Sequence, residues 1–178
     1  MRIEKLQAYI FILGSFILFT PLLSAQHDNR SEFKWYGFNE AGELAAETDK
    51  QLFLFFEAEW CGYCKQMREE VFPDSIIQNL MSEHFYPVSI DIESKAVITY
   101  KGKERSERSF SHLMRINATP TIIFMNIAGE PVGKKMGFTD ISEMEKLLIY
   151  VSEGYIGHME FEEFKNRAAS ANTGRNQY

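Results

Sequence analysis

Cysteine is scarce in this chain, with two in 178 residues. That excludes a small disulfide-laced scaffold and a zinc site made of four thiolates. There is no second C-x-x-C, and His27, His84, His112 and His158 show no paired spacing with the cysteines. A closed tetrahedral metal site therefore lacks a ligand set, and the histidines read as surface or helix-packing residues. Positive charge is also short. Lys and Arg number 19 against 25 Asp and Glu, for a net charge of −6. A nucleic-acid binder needs a basic surface for phosphates, so that class is set aside. No nicotinamide or flavin motif and no internal repeat is present.

Long apolar runs are missing except at the start. Arg2 and Lys5 precede "AYIFILGSFILFTPLL", and "LSA" ends at Ala25. A positive head, a short apolar stretch and small residues at its end read as a secretory signal cleaved after Ala25. The run falls short of the roughly 20 residues a spanning helix needs, and Pro21 interrupts its end. The alternative is an uncleaved membrane anchor; either way the rest of the chain is exported, to a periplasm or its equivalent. This segment holds no Cys, so a lipid-modified N-terminus is not expected.

Export changes how Cys61 and Cys64 read. An exported two-cysteine protein would ordinarily be given a structural disulfide. A C-x-x-C pair closes almost no loop, however, so its entropic gain is small. The spacing points to chemistry.

What is present is ample apolar and aromatic material, 45% and 14% of residues, enough for one packed domain. Residues 26–34 are polar and read as a flexible start. A helix is expected over 39–50. "QLFLFFEA" (51–58) is a continuous apolar run, as in a strand buried on both faces. A helix opens at Gly62 and must break or kink at Pro73. It restarts over 74–85 with Asp74 or Ser75 as N-cap. Residues 86–92 form a strand. "AVITY" (96–100) is a short strand or hairpin arm, and "KGKERSER" reads as an exposed charged loop. A short helix over 109–116 follows. Residues 120–138 read as strand, Gly129 turn, strand. Helices are expected over 139–154 and 158–170, and a disordered tail over 171–178. Alternating strands and helices followed by a hairpin give an α/β fold, a mixed sheet with helices on both faces.

Cys61 follows the buried strand and opens a helix. Free N–H groups and the helix dipole there favour a thiolate, lowering its pKa. Cys64, one turn on and more buried, is placed to resolve a mixed disulfide by attacking the Cys61 sulfur. Gly62 allows close approach of a partner backbone, and Lys65 adds a nearby positive charge.

"AEWCGYCKQM", "ATPTIIFMNIAGEPV" and "MGFTDISEMEKLL", in that order, resemble the thioredoxin superfamily over residues 35–155. The tail "LLIYVSEGYIGHMEFEEF" resembles that of the exported SoxW-type thioredoxins. The resemblance implies a thioredoxin-like fold and an exported thiol–disulfide oxidoreductase with no cofactor beyond its cysteine pair. It implies that Thr119–Pro120 is a cis peptide facing the cysteines and pairing with a substrate backbone, and that Trp60 flanks the nucleophile, with Gly62 and Tyr63 beside it. The implied partners are exported proteins with thiols or disulfides, and a membrane thiol transporter as electron donor to a monomeric protein.

Departures narrow the reading. Thioredoxins of the cytosol carry a buried Asp six residues before the first Cys; here that position is Phe55. Glu57 and Glu59 are the candidate proton acceptors for Cys64, placed by strand alternation on one face opposite Phe56 and Ala58. The alternative is that both are exposed and inert. Gly62-Tyr63 between the cysteines and Thr119 before Pro120 resemble the DsbC-type bacterial isomerases, but no dimerisation domain precedes the fold. By the SoxW-type resemblance, reduction of exported disulfides is the first expectation; oxidase, isomerase and non-catalytic thiol or peptide binding are the alternatives.

Overall fold

The computed structural model describes residues 33–175. The signal reading over 1–25, most of the polar start and residues 176–178 lie outside the described residues. Helix α1 (Phe38–Glu47) leads into β1 (Gln51–Glu57). Then come α2 (Gly62–Gln66), a π-helical turn (Met67–Val71), α3 (Ser75–His84) and β2 (Phe85–Asp91). A hairpin of β3 (Val97–Tyr100) and β4 (Lys103–Ser106) precedes α4 (Glu107–Leu113). Strands β5 (Thr121–Met125) and β6 (Pro131–Met136) are followed by α5 (Ile141–Ser152) and α6 (Phe161–Arg175).

The main sheet has the order β2-β1-β5-β6. β1 and β2 are parallel, while β5 runs antiparallel to β1 and β6 antiparallel to β5. β1 is central, which explains its unbroken apolar run: Leu52 to Phe56 are all buried. Alternation splits it between two cores. Phe53 and Phe55 face one side with Met67, Ile77, Met81, Met144 and Leu148; the two cysteines belong to this cluster. Leu52, Leu54 and Phe56 face the other with Ala41, Ala45, Phe110 and the hairpin residues Ile98 and Tyr100. Each buried Phe or Leu contributes about 1.5–3 kcal/mol relative to exposure. Helices thus cover both faces of a mixed sheet, as expected from the element order.

Two local outcomes differ from the sequence reading, in the hairpin and in the last helix. "KGKERSER" is not a loop throughout, since Lys103–Ser106 forms β4 against β3. Lys101 and Gly102 take left-handed φ values of 50° and 72°, the conformation of a tight two-residue hairpin turn. The helix from Gly62 does break at Pro73 and restart at Ser75, as expected, after a widened last turn in which Phe72 N–H donates to Met67 O at 2.9 Å, one residue further back than in an α-helix. The last helix runs Phe161–Arg175, beyond the 158–170 expected for it and into the segment read as tail. It is held by rings, with Phe161 and Phe164 within 5.5 Å of Tyr150. Among the described residues no helix is long and apolar enough to cross a membrane.

Candidate redox site

Register places the site. Phe56 faces Thr121 across the β1–β5 ladder, and Glu57 faces Asp91 across β1–β2. The turn after β1, the loop after β2 and the loop before β5 therefore leave the sheet at one end. The first carries Trp60 and Cys61, the second Glu93, the third Thr119 and Pro120. Gly137 N–H donates to Pro120 O at 2.8 Å, which brings the end of β6 and Phe138 there too.

Cys61 is the N-cap of α2, and Cys61 and Cys64 form a disulfide with Cα atoms 5.2 Å apart. The Cys64 N–H donates to Cys61 Sγ at 3.1 Å, so the first sulfur already accepts from a helix-terminal amide. Both cysteines are buried, Cys64 more deeply, at 1% exposure against 4%. Gly62 is exposed, and a Cβ built there would meet no atom within 4 Å, so the turn is open above the disulfide.

Two exposed aromatics flank this opening. Trp60 is 65% exposed, and its indole N–H donates to Glu93 Oε2 at 3.1 Å. Tyr63 is 63% exposed, and its ring lies 5.9 Å from that of Phe138. Each ring is thus steadied by a different loop. Thr119–Pro120 is cis. Pro120 is buried, and Thr119 Oγ1 is buried without a hydrogen-bond partner. Trp60, Cys61, Gly62 and Tyr63 thus follow one another from the turn after β1 into α2, Cys64 is buried one turn on, and Thr119 and Pro120 stand in the loop before β5 at the same end of the sheet.

The two acids fare differently. Glu59 is exposed in the turn beyond β1. Glu57 ends β1 with both carboxylate oxygens engaged by the Arg68 guanidinium, and Oε1 also accepts from the Ser89 hydroxyl. Neither is a free buried carboxylate. Phe55, at the position of the missing Asp, is fully buried and packs on Phe72 with ring centroids 4.9 Å apart. The surroundings of Cys64 are therefore apolar.

The sequence reading missed Glu93, Phe138 and Arg68. Phe138 lay inside a quoted motif, and helical spacing placed Arg68 one turn after Cys64. Nothing local marks Glu93 as the partner of Trp60. Among the described residues no three His, Cys, Asp or Glu side chains gather to hold a metal.

A buried disulfide on a helix start, beneath open flanking aromatics, defines the class: dithiol–disulfide exchange proteins on a thioredoxin-like fold. The thioredoxin-like domain family matches residues 38–152, and the chain belongs to that family. A thioredoxin from Thermus thermophilus is 28% identical with a TM-score of 0.56, over 70% of this chain and 90% of that one. A candidate disulphide-isomerase from Bacteroides thetaiotaomicron is 30% identical with a TM-score of 0.53, over 68% and 93%. An uncharacterized protein from Archaeoglobus fulgidus is 28% identical over 57 residues, 32% of this chain; the match spans 45% of that curated relative, less than half its length. Fold and cysteine pair together support thiol–disulfide oxidoreductase chemistry.

Proposed function

We propose that the protein is an exported oxidoreductase that reduces disulfides in other exported proteins. The observation that carries the reading is the Cys61–Cys64 disulfide at the start of α2, with the first sulfur accepting an amide hydrogen bond. In the reduced protein that amide and the helix dipole favour a Cys61 thiolate. The thiolate attacks one sulfur of a substrate disulfide; a mixed disulfide forms and the other substrate sulfur leaves as a thiolate. Cys64 then loses its proton and attacks Cys61 Sγ, which releases the second substrate sulfur and regenerates the Cys61–Cys64 disulfide. Two electrons pass to the substrate, and two protons from solvent or neighbouring groups complete its thiols.

Trp60, Gly62, Tyr63, Thr119 and Pro120 form the surface against which the partner chain lies. Glu57 and Glu59 are the carboxylates closest in sequence to the pair, and Glu59 is the one not held in an ion pair. Re-reduction falls to a membrane thiol transporter, and the protein works as a monomer after cleavage at Ala25, or held by that segment if it is retained. The SoxW-type resemblance of the tail supports the reductant direction. Likeness to the Bacteroides structure favours isomerisation as a second reading. Insulin reduction driven by dithiothreitol tests the first: acceleration by the wild type and none by Cys61→Ser is expected, and a wild type that leaves the rate unchanged removes catalysis. The reduction potential against glutathione sets the direction.

A further inference from the structure

One wall of the opening above the cysteines hangs on a loop. Trp60 is exposed beside Cys61, and the single donor of its indole is engaged by Glu93 Oε2 at 3.1 Å. Glu93 sits in the loop after β2, residues 92–96, where Ile92 and Ser94 are half-buried and Glu93, Lys95 and Ala96 are exposed. Little apolar burial holds such a loop, so its hydrogen bonds decide where Glu93 stands.

Those bonds lead to the first turn of α4. Glu107 N–H donates to Ala96 O at 2.9 Å, and Arg108 N–H donates to Ser94 O at 3.1 Å. In return the half-buried Glu107 carboxylate accepts from Asp91 N–H at 3.3 Å and from the Ser94 hydroxyl. β2 ends the main sheet, and Ile92 N–H points inward to Glu57 O at 3.0 Å, so Asp91 N–H points outward from the edge. Glu107 supplies the acceptor for that outward amide. Asp91 then shapes the turn beyond it: Oδ1 accepts from Glu93 N–H at 2.9 Å, and its carbonyl accepts from Ser94 N–H at 3.1 Å. Glu107, Asp91, Glu93 and Trp60 thus form one chain of three hydrogen bonds that ends beside Cys61.

We infer that Glu107 is a positioning residue for the redox opening: it fixes the turn at Asp91–Ser94 and, through Glu93, the Trp60 indole. The inference rests on the oxidoreductase reading of that opening and adds to it a residue that acts through others. An acid in the first turn of α4 also complements the helix dipole. The two roles separate on substitution, because Gln keeps an oxygen for the Asp91 N–H and lacks the charge.

The indole signals test this. The chain has two tryptophans, Trp35 and Trp60, so the isotope-labelled full chain gives two indole N–H resonances, and Trp60→Phe assigns them. In Glu107→Ala the Trp60 signal is expected to move and its exchange with solvent to quicken about tenfold, while the Trp35 signal stays in place. Glu107→Gln is expected to restore both properties of Trp60. With insulin as substrate, Glu107→Ala raises KM about threefold and leaves kcat within about twofold, and Glu107→Gln returns KM to the wild-type value. In a Trp60→Ala background, Glu107→Ala adds nothing further. A Trp60 signal that ignores Glu107→Ala overturns the inference, as does a Trp35 signal that shifts equally and so marks a general loss of structure. Failure of Glu107→Gln to rescue assigns Glu107 to the helix dipole and overturns it too. Circular dichroism checks folding, and Glu107→Asp, one methylene too short for the Asp91 N–H, gives the same direction of effect should Glu107→Ala not fold. The indole measurement needs no catalysis: if wild type fails to reduce insulin while the Trp60 signal still answers to Glu107, the oxidoreductase reading falls and the positioning role stands.

Discussion

Arg68 grips Glu57 along both edges of the carboxylate, with Nε 2.7 Å from Oε2 and Nη2 against Oε1. The guanidinium lies over the Trp35 ring, 4.6 Å from its centroid, and donates to Ser89 Oγ at 2.9 Å. Arg68 follows Cys64 by one helical turn, so the pair ties the redox helix to the ends of β1 and β2.

Removing the cation leaves a carboxylate only 18% exposed without its partner. Arg68→Ala is therefore expected to cost about 2–3 kcal/mol, partly through lost packing on Trp35. Glu57→Gln keeps the shape and costs less, about 1 kcal/mol. Urea denaturation measures both. Because both oxygens of Glu57 are occupied, Glu57→Gln is expected to leave the pH profile of insulin reduction in place. An altered profile would restore Glu57 as proton acceptor.

Cys64→Ala removes the thiol that resolves the intermediate. The variant is expected to accumulate mixed disulfides through Cys61, visible as thiol-sensitive adducts on non-reducing gels. Cys61→Ala should give few, because the remaining sulfur is the more buried of the two. Adducts confined to Cys61→Ala would reverse the roles.

The large elements were legible because burial leaves a period. β1 lies between two cores, so its apolar run is unbroken, and Leu54 and Phe55 need no turn signal to be read as strand. The Asp74 cap was equally local, its carboxylate accepting from Ile76 and Ile77 N–H. β4 was not legible, since "KERS" has no apolar alternation and pairs at the surface. Its one signal was Lys101-Gly102, a turn dipeptide masked by the surrounding charge. At the site, Cys61 and Cys64 announce themselves by spacing. Glu93 and Phe138 act across 33 and 75 positions of sequence, and such contacts come only from the register of the sheet.

The Tyr63–Phe138 contact forms one wall of the opening above Cys61. Aromatic pairs are worth about 0.5–1.5 kcal/mol beyond area. Truncating Phe138 to Ala frees an exposed Tyr63, so the larger effect should fall on partner binding. Phe138→Ala is expected to raise KM for a protein disulfide about threefold to tenfold with little change in kcat. Tyr63→Ala should act alike, and the double variant less than additively because the two share one contact. Additive losses would separate the two rings functionally.

Glu107 gives the acid-range prediction. Burial raises its carboxyl above the ordinary glutamate value, and the nearby Asp91 charge adds to this; hydrogen bonds from Ser94 and from the Asp91 backbone oppose it but do not cancel it. A carboxyl with a raised pKa in the folded state holds its proton there longer than in the unfolded chain. Between the unfolded and folded values the native state binds more protons, so stability falls as pH rises through that window. The contribution is complete below the unfolded value and lost above the folded one. Glu107→Gln keeps an oxygen for the Asp91 N–H, removes the charge and with it this slope. The variant is expected to be at least as stable as wild type at pH 7, with the gap narrowing as pH drops through the acid window. Thermal melts of both proteins from pH 4 to pH 7 measure it, and a gap that widens toward low pH would contradict the assignment.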